Sequence, residues 1–206
     1  MGRSLALIIS VIFQPLIIPT LVFGMILFVV PEASSVPFEF KVRIFYLIML
    51  STLAIPMITI LGLRLSGTVK SLHMIDIKDR LIPFCVTSVY FLMTVYFMFE
   101  MSELDPILWQ SLAVITAVVV ILTIVTFFWK MSAHMTGVGG LLALVVVLGM
   151  NFPNFAILYP LLAALLLAGV VGTSRLFLNA HNPMEVYIGF FYGFFTCFWG
   201  FLWVWG

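Results

Sequence analysis

One stretch stands apart from the rest of the chain, Ser174-Arg175-Leu176-Phe177-Leu178-Asn179-Ala180-His181-Asn182-Pro183-Met184-Glu185-Val186. It stands between two long apolar runs, in a chain of 206 residues of which only 8% are charged. Arg175, His181 and Glu185, so close together in such surroundings, call for a physical reason.

Composition narrows the class. Hydrophobic residues make up 64% of the chain and the mean hydropathy is +1.28, whereas a soluble domain carries roughly a quarter of its residues charged. The apolar runs reach the ~20 residues that a membrane-spanning helix needs and lack the alternation of a membrane barrel. The expected fold is therefore all-α: a single integral membrane domain over residues 1–206, a polytopic helical bundle of six to seven transmembrane helices. The runs are Leu5–Val30, Val42–Leu63, Leu81–Phe99, Ile107–Trp129, Met135–Met150, Phe155–Thr173 and Val186–Trp205. Pro15 and Pro19 in the first predict either a kinked span or a segment that only dips into the bilayer, hence six or seven. Asn151-Phe152-Pro153-Asn154 reads as a sharp turn. The first run looks like a retained span, since no small-residue cleavage site ends it. A net charge of +1 offers no basic surface to nucleic acid. Cys85 and Cys197 lie in apolar runs and read as small packing residues.

If every run crosses, one face collects Arg3, the connection Arg64–Arg80, Lys130–His134 and Ser174–Glu185, and with them His73, His134 and His181. Basic residues flank spans on the cytoplasmic side, but that tendency does not ask for histidine. The other face receives Pro31–Lys41, the acidic Glu100–Asp105 and the Asn151 turn.

The stretch Ser174-Arg175, His181, Pro183, Glu185 and Gly189 resembles the third signature of the type 2 phosphatidic acid phosphatase superfamily, which includes lipid phosphate phosphatases and vanadium haloperoxidases. The family pattern is S-R-x5-H-x3-D, and here glutamate stands for aspartate. Met131-Ser132-Ala133-His134 resembles the second signature, P-S-G-H, in its serine and histidine. Two apolar runs separate His134 from Ser174, which is the family's order and returns the chain to the same face. The first signature, K-x6-R-P, finds its best counterpart in Arg80, with Pro83 three positions on and His73 where lysine is expected; Lys130 is an alternative donor. The signature-bearing core covers about residues 130–193.

The resemblance implies a metal-independent membrane phosphatase without cofactor. His181 would be the nucleophile that becomes a phosphohistidine. Glu185 would hold its imidazole, and His134 would protonate the leaving oxygen and then activate water. Arg175, Arg80 or Lys130, the Ser132 hydroxyl and the Ala133 N–H would cradle the phosphate. The implied partners are a lipid phosphate ester or diphosphate and the bilayer itself, in a multi-pass protein of a bacterial inner membrane. Each residue also has a plainer role: Asn182-Pro183-x-Glu185 is a good helix start with a capping box, and Arg175 at the end of a span can snorkel to the interface. Two rivals stand beside the enzyme: a phosphatase-like protein that binds lipid without hydrolysis, and a small transporter. The second calls for ionisable groups near mid-span, where this sequence has Ser, Thr and Gly among apolar residues. With the site residues set aside, Arg3, Arg64, Lys70 and Lys78 stand on the histidine face against Lys41 and Arg43 on the other. That balance favours a cytoplasmic site, while a first segment that fails to cross, with its N-terminus inside, turns the site outward.

Overall fold

The computed structural model describes residues 2–69, 77–152 and 156–206, and the side chains of all of these except 77 and 78. The described residues form helices and no strand. Among them seven segments are long and apolar enough to cross a membrane: Arg3–Val29, Phe38–Leu65, Asp79–Glu100, Pro106–Thr126, Ala133–Asn151, Leu158–Phe177 and Pro183–Trp205.

The first segment is broken. Helix α1 (Arg3–Ile12) ends, Pro15–Ile17 forms a 3-10 turn, and α2 (Ile18–Gly24) runs into a π-helical turn at Met25–Val29. Pro15 has no N–H to give to the carbonyl of Val11, so the helix stops where the prolines predict a kink. The segment nevertheless runs the height of the bundle. The Ser10 carbonyl lies 3.0 Å from His134 Nε2 at one end, and the Ala33 carbonyl, just past the segment, accepts from Trp205 Nε1 at the other.

The second segment is α3 (Phe38–Met49), a π-helical turn at Leu50–Ala54, and α4 (Ile55–Leu65). Pro56 leaves the Thr52 carbonyl without its helical donor, and the wide turn sits at that gap. Then come α5 (Ile77–Glu100), α6 (Pro106–Thr126), α7 (Ala133–Asn151), α8 (Leu158–Phe177) and α9 (Pro183–Trp205). The helices outrun the apolar runs at the end that carries the histidines. Ser174 and Arg175 lie in the last turn of α8 rather than in the connection after it, Arg80 in the first turn of α5, and His134 second in α7. Polarity ends an apolar run without ending a helix, and a basic residue in the last turn suits the helix dipole.

Helix α7 is the axis, buried along nearly its whole length, and it packs against α9, α8 and α2. In lipid there is little hydrophobic force between helices, so close approach of small residues must supply the contact. A Cβ at Gly193 of α9 would overlap the carbonyl oxygen of Thr136 on α7, one at Gly139 of α7 would overlap the Phe190 carbonyl, and one at Gly189 would come within 2.8 Å of the Ser132 carbonyl. The two backbones are therefore nearly in contact.

At the opposite end, polar groups serve as staples. Asp105 caps α6 through Ile107 N (3.0 Å) and accepts from Ser35 N (2.6 Å) and Ser35 Oγ (2.9 Å), while Lys41 Nζ donates to the Pro31 carbonyl (3.1 Å). These groups fasten connections to helix ends.

Gly193→Ala should drive α9 off α7 and lower stability by about 1–3 kcal/mol, read as unfolding of detergent-solubilised protein followed by tryptophan fluorescence. Gly169→Ala, whose Cβ would meet nothing within 4 Å, should leave the midpoint in place. Equal losses in the two variants would contradict this account of the packing.

Candidate functional site

The stretch Ser174–Val186 folds as a helix end, a one-residue link and a helix start. Asn179 adopts φ 50°, a left-handed conformation that asparagine tolerates better than most residues. Around it the Asn179 N–H donates to the Leu176 carbonyl (3.0 Å) and the Ala180 N–H to the Arg175 carbonyl (3.1 Å), the pair of bonds that closes a Schellman motif. Two residues later Asn182 caps α9. Its Oδ1 accepts from Glu185 N at 2.9 Å, and Glu185 Oε2 accepts from Asn182 N at 3.3 Å. His181 is the link between these two caps and is buried.

Glu185 performs the capping role and another beside it. The same Oε2 accepts a bond from His181 Nδ1 at 2.7 Å, and both residues are buried. On the other side of the ring, Arg80 Nη2 lies 3.2 Å from His181 Nε2. A guanidinium only donates, so Nε2 carries the lone pair and Nδ1 the proton. Arg80, buried in the first turn of α5, also donates from Nη1 to the Met131 carbonyl at 3.3 Å. It thereby ties α5 to the segment before α7.

That segment brings the second histidine. The Ser132 N–H donates to the Glu185 carbonyl at 3.2 Å, which joins the start of α7 to the first turn of α9. Ser132 is the N-cap of α7 and makes no side-chain cap. Its hydroxyl is buried and without a hydrogen-bond partner among the described residues, an arrangement that costs about 1–3 kcal/mol unless something else binds there. Ala133 opens the helix, with the unpaired N–H groups that any helix start presents. His134 follows, and because a carbonyl can only accept, its Nε2 donates to Ser10. The Ser10 carbonyl is available because α1 ends at Ile12, leaving it among the last four of that helix.

A cavity of about 750 Å³ opens on this assembly, and Arg80, Ala133, His134, Arg175 and His181 line its polar end. Arg175 is buried, with Nε lacking a partner among the described residues. Ser132, Glu185 and Lys130 stand behind the wall rather than on it. Lys130 is half-buried and near enough to act on His181 electrostatically. His73 and the side chain of Lys78 lie outside the described residues.

Burial first, then the positive charges of Arg80, Arg175 and Lys130, hold the His181 imidazole well below its ordinary value. The Glu185 carboxylate pulls the other way, but it is one anion against three cations in a desolvated site. His181 is thus a neutral ring with Nδ1–H bound to Glu185 and the Nε2 lone pair turned towards Arg80, in a cavity that Arg175 also lines. That is the state a nitrogen nucleophile needs.

Two contributors went unread in the sequence. Asn179 sets the left-handed turn, and its position four residues after Arg175 was the available sign. Ser10 lines the cavity, holds His134 by its carbonyl and keeps a buried hydroxyl with no partner among the described residues. Only Pro15, which ends α1, hinted at an exposed carbonyl there.

No family model, no curated protein and no solved structure matches this chain.

Nitrogen-15 spectra of histidine-labelled protein should show His181 as the neutral Nδ1–H form at about pH 6, where a free histidine is largely protonated. Because the folded value lies below the unfolded one, His181 resists protonation as pH falls and its contribution to stability declines below about pH 6.5. An imidazolium spectrum for His181 at pH 6, absent from His181→Gln, would contradict the assignment.

Proposed function

We propose that the protein is a membrane phosphatase that hydrolyses a lipid phosphate monoester or diphosphate through a phosphohistidine, with a core related to the type 2 phosphatidic acid phosphatases. One observation carries the reading. The buried His181–Glu185 pair, bonded at 2.7 Å, turns its other nitrogen to a cavity lined by two buried arginines. A buried cationic wall facing a neutral imidazole suits a phosphoryl group better than a metal or a proton relay.

Each residue then has a task. Arg175 and Arg80 neutralise the phosphate oxygens, Arg80 exchanging its bond to His181 Nε2 for one to the substrate. The buried Ser132 hydroxyl and the first N–H groups of α7 favour the same anion. His181 Nε2 attacks phosphorus, the bond from phosphorus to the alkoxy oxygen breaks, and His134, which takes up a proton as the anionic substrate enters beside it, gives that proton to the leaving alkoxide. His134, now neutral, takes a proton from water, whose oxygen attacks phosphorus while the P–N bond breaks and the electrons return to His181. Glu185 keeps Nδ1–H in place throughout and stabilises the positive charge that develops on the ring. To reach the leaving oxygen, His134 exchanges its bond to the Ser10 carbonyl, on the wall of the same cavity. In this reading the protein resides in a bacterial inner membrane, with the site on the face that carries the N-terminus.

Purified protein in detergent with EDTA should release inorganic phosphate from at least one of a panel of lipid phosphates. His181→Ala should fall to background, and Glu185→Gln should lose on the order of 10²–10⁴ in kcat. Release from no lipid by folded wild-type protein would overturn the enzyme and leave a phosphate-lipid binding protein, for which Glu185 is a helix cap.

A further inference from the structure

We propose that the cavity's apolar limb binds the hydrocarbon chain of a single-chain lipid phosphate, end-on inside the helix bundle rather than along its outer surface. The head-group half of this inference rests on the phosphatase reading; the chain half rests on the cavity alone.

From the two arginines the wall passes Gly140 of α7 and Phe91 of α5, then Ile115 and Val118 of α6, and reaches Cys197 and Phe201 of α9. All but the glycine are large or soft apolar side chains buried in the bundle. Along α9 the distance from Pro183, beside His181, to Phe201 is about 27 Å at the helical rise of ~1.5 Å per residue. The limb is therefore long, and it begins at a cationic end and continues apolar, the two-part form of a lipid phosphate. Gly140 lets α7 close on α9 along this limb, since a Cβ there would come within 2.8 Å of Cys197 Sγ.

Size favours one chain over two. At the ~30 Å³ that a water takes in the liquid, a cavity of about 750 Å³ holds roughly 25 non-hydrogen atoms, close to a sixteen-carbon monoacyl glycerol phosphate and little more than half of its diacyl form. A prenyl phosphate of similar atom count fits equally. Inside, the chain exchanges bilayer contacts for protein contacts, so the gain is selectivity for chain number and length rather than hydrophobic affinity.

The first test is independent of turnover. A sixteen-carbon alkyl phosphonate, which cannot be hydrolysed, carries a diazirine at the chain end and is photolysed with wild-type protein in maltoside detergent. Peptide mapping is expected to place the label at Ile115, Val118, Cys197 or Phe201. Labelling confined to Phe195, Trp199 and Trp203, on the exposed face of the same α9, would overturn the inference. The second test compares monoacyl, diacyl and prenyl phosphates as substrates, with an expected preference for single chains of at least ~10-fold, and with Val118→Phe moving the length optimum to shorter chains. Diacyl turnover equal to monoacyl would overturn the one-chain limit. Interior labelling without hydrolysis of any ester supports the chain site and sinks the phosphatase reading, whereas hydrolysis with exterior labelling does the reverse.

Discussion

The structure depends on the near-contact of α7 with α9. Without side chains at Gly189 and Gly193, the backbone of α9 lies against the carbonyls of Ser132 and Thr136. That fixes the start of α7 against the first turn of α9 and allows Ser132 N–H to bond the Glu185 carbonyl. The two histidine-bearing segments meet because two helices can touch without Cβ atoms between them. A bulkier pair would separate His134 from His181, and no local property of either motif would bring them back.

The link from α8 to α9 supplies the second constraint. It is one residue longer than a Schellman end joined to a capping box, and that residue is His181. Glu185 closes the cap with one interaction and holds the imidazole with another, both through Oε2. The plain reading and the chemical reading of this glutamate are therefore compatible: the cap fixes the backbone and the carboxylate orients the ring. The additional methylene of glutamate over aspartate is accommodated, since the bond to Nδ1 is 2.7 Å.

The legible part of this molecule was its local part. Apolar runs predicted the spans, and prolines predicted the break in the first of them. The spacing of Arg175, His181 and Glu185 placed three groups that the turn from α8 to α9 keeps together, with Asn182 and Glu185 recognisable as a cap. Arg80 was a weaker expectation, since two spans separate it from Ser132; only the packing of α5 beside the α7 start brings it to 3.2 Å from His181. Ser10 was not legible at all, because its role falls to a main-chain carbonyl exposed by a proline five residues later and used by a histidine 124 positions away. The apolar limb was equally hidden. The cavity runs along the interior face of the last span, past Cys197, the residue read as mere packing. Sequence patterning marks which residues are apolar, but not which apolar residues face a void.

The central claim is that His181 Nε2 forms a bond to phosphorus. The most direct measurement is the mass of the protein quenched in alkali within the first turnover on a lipid phosphate, followed by peptide mapping. The account predicts one added phosphoryl group on the peptide containing His181, stable in alkali and lost in mild acid. Steady release of phosphate with no such adduct at any quench time, or an adduct on another residue, would contradict it.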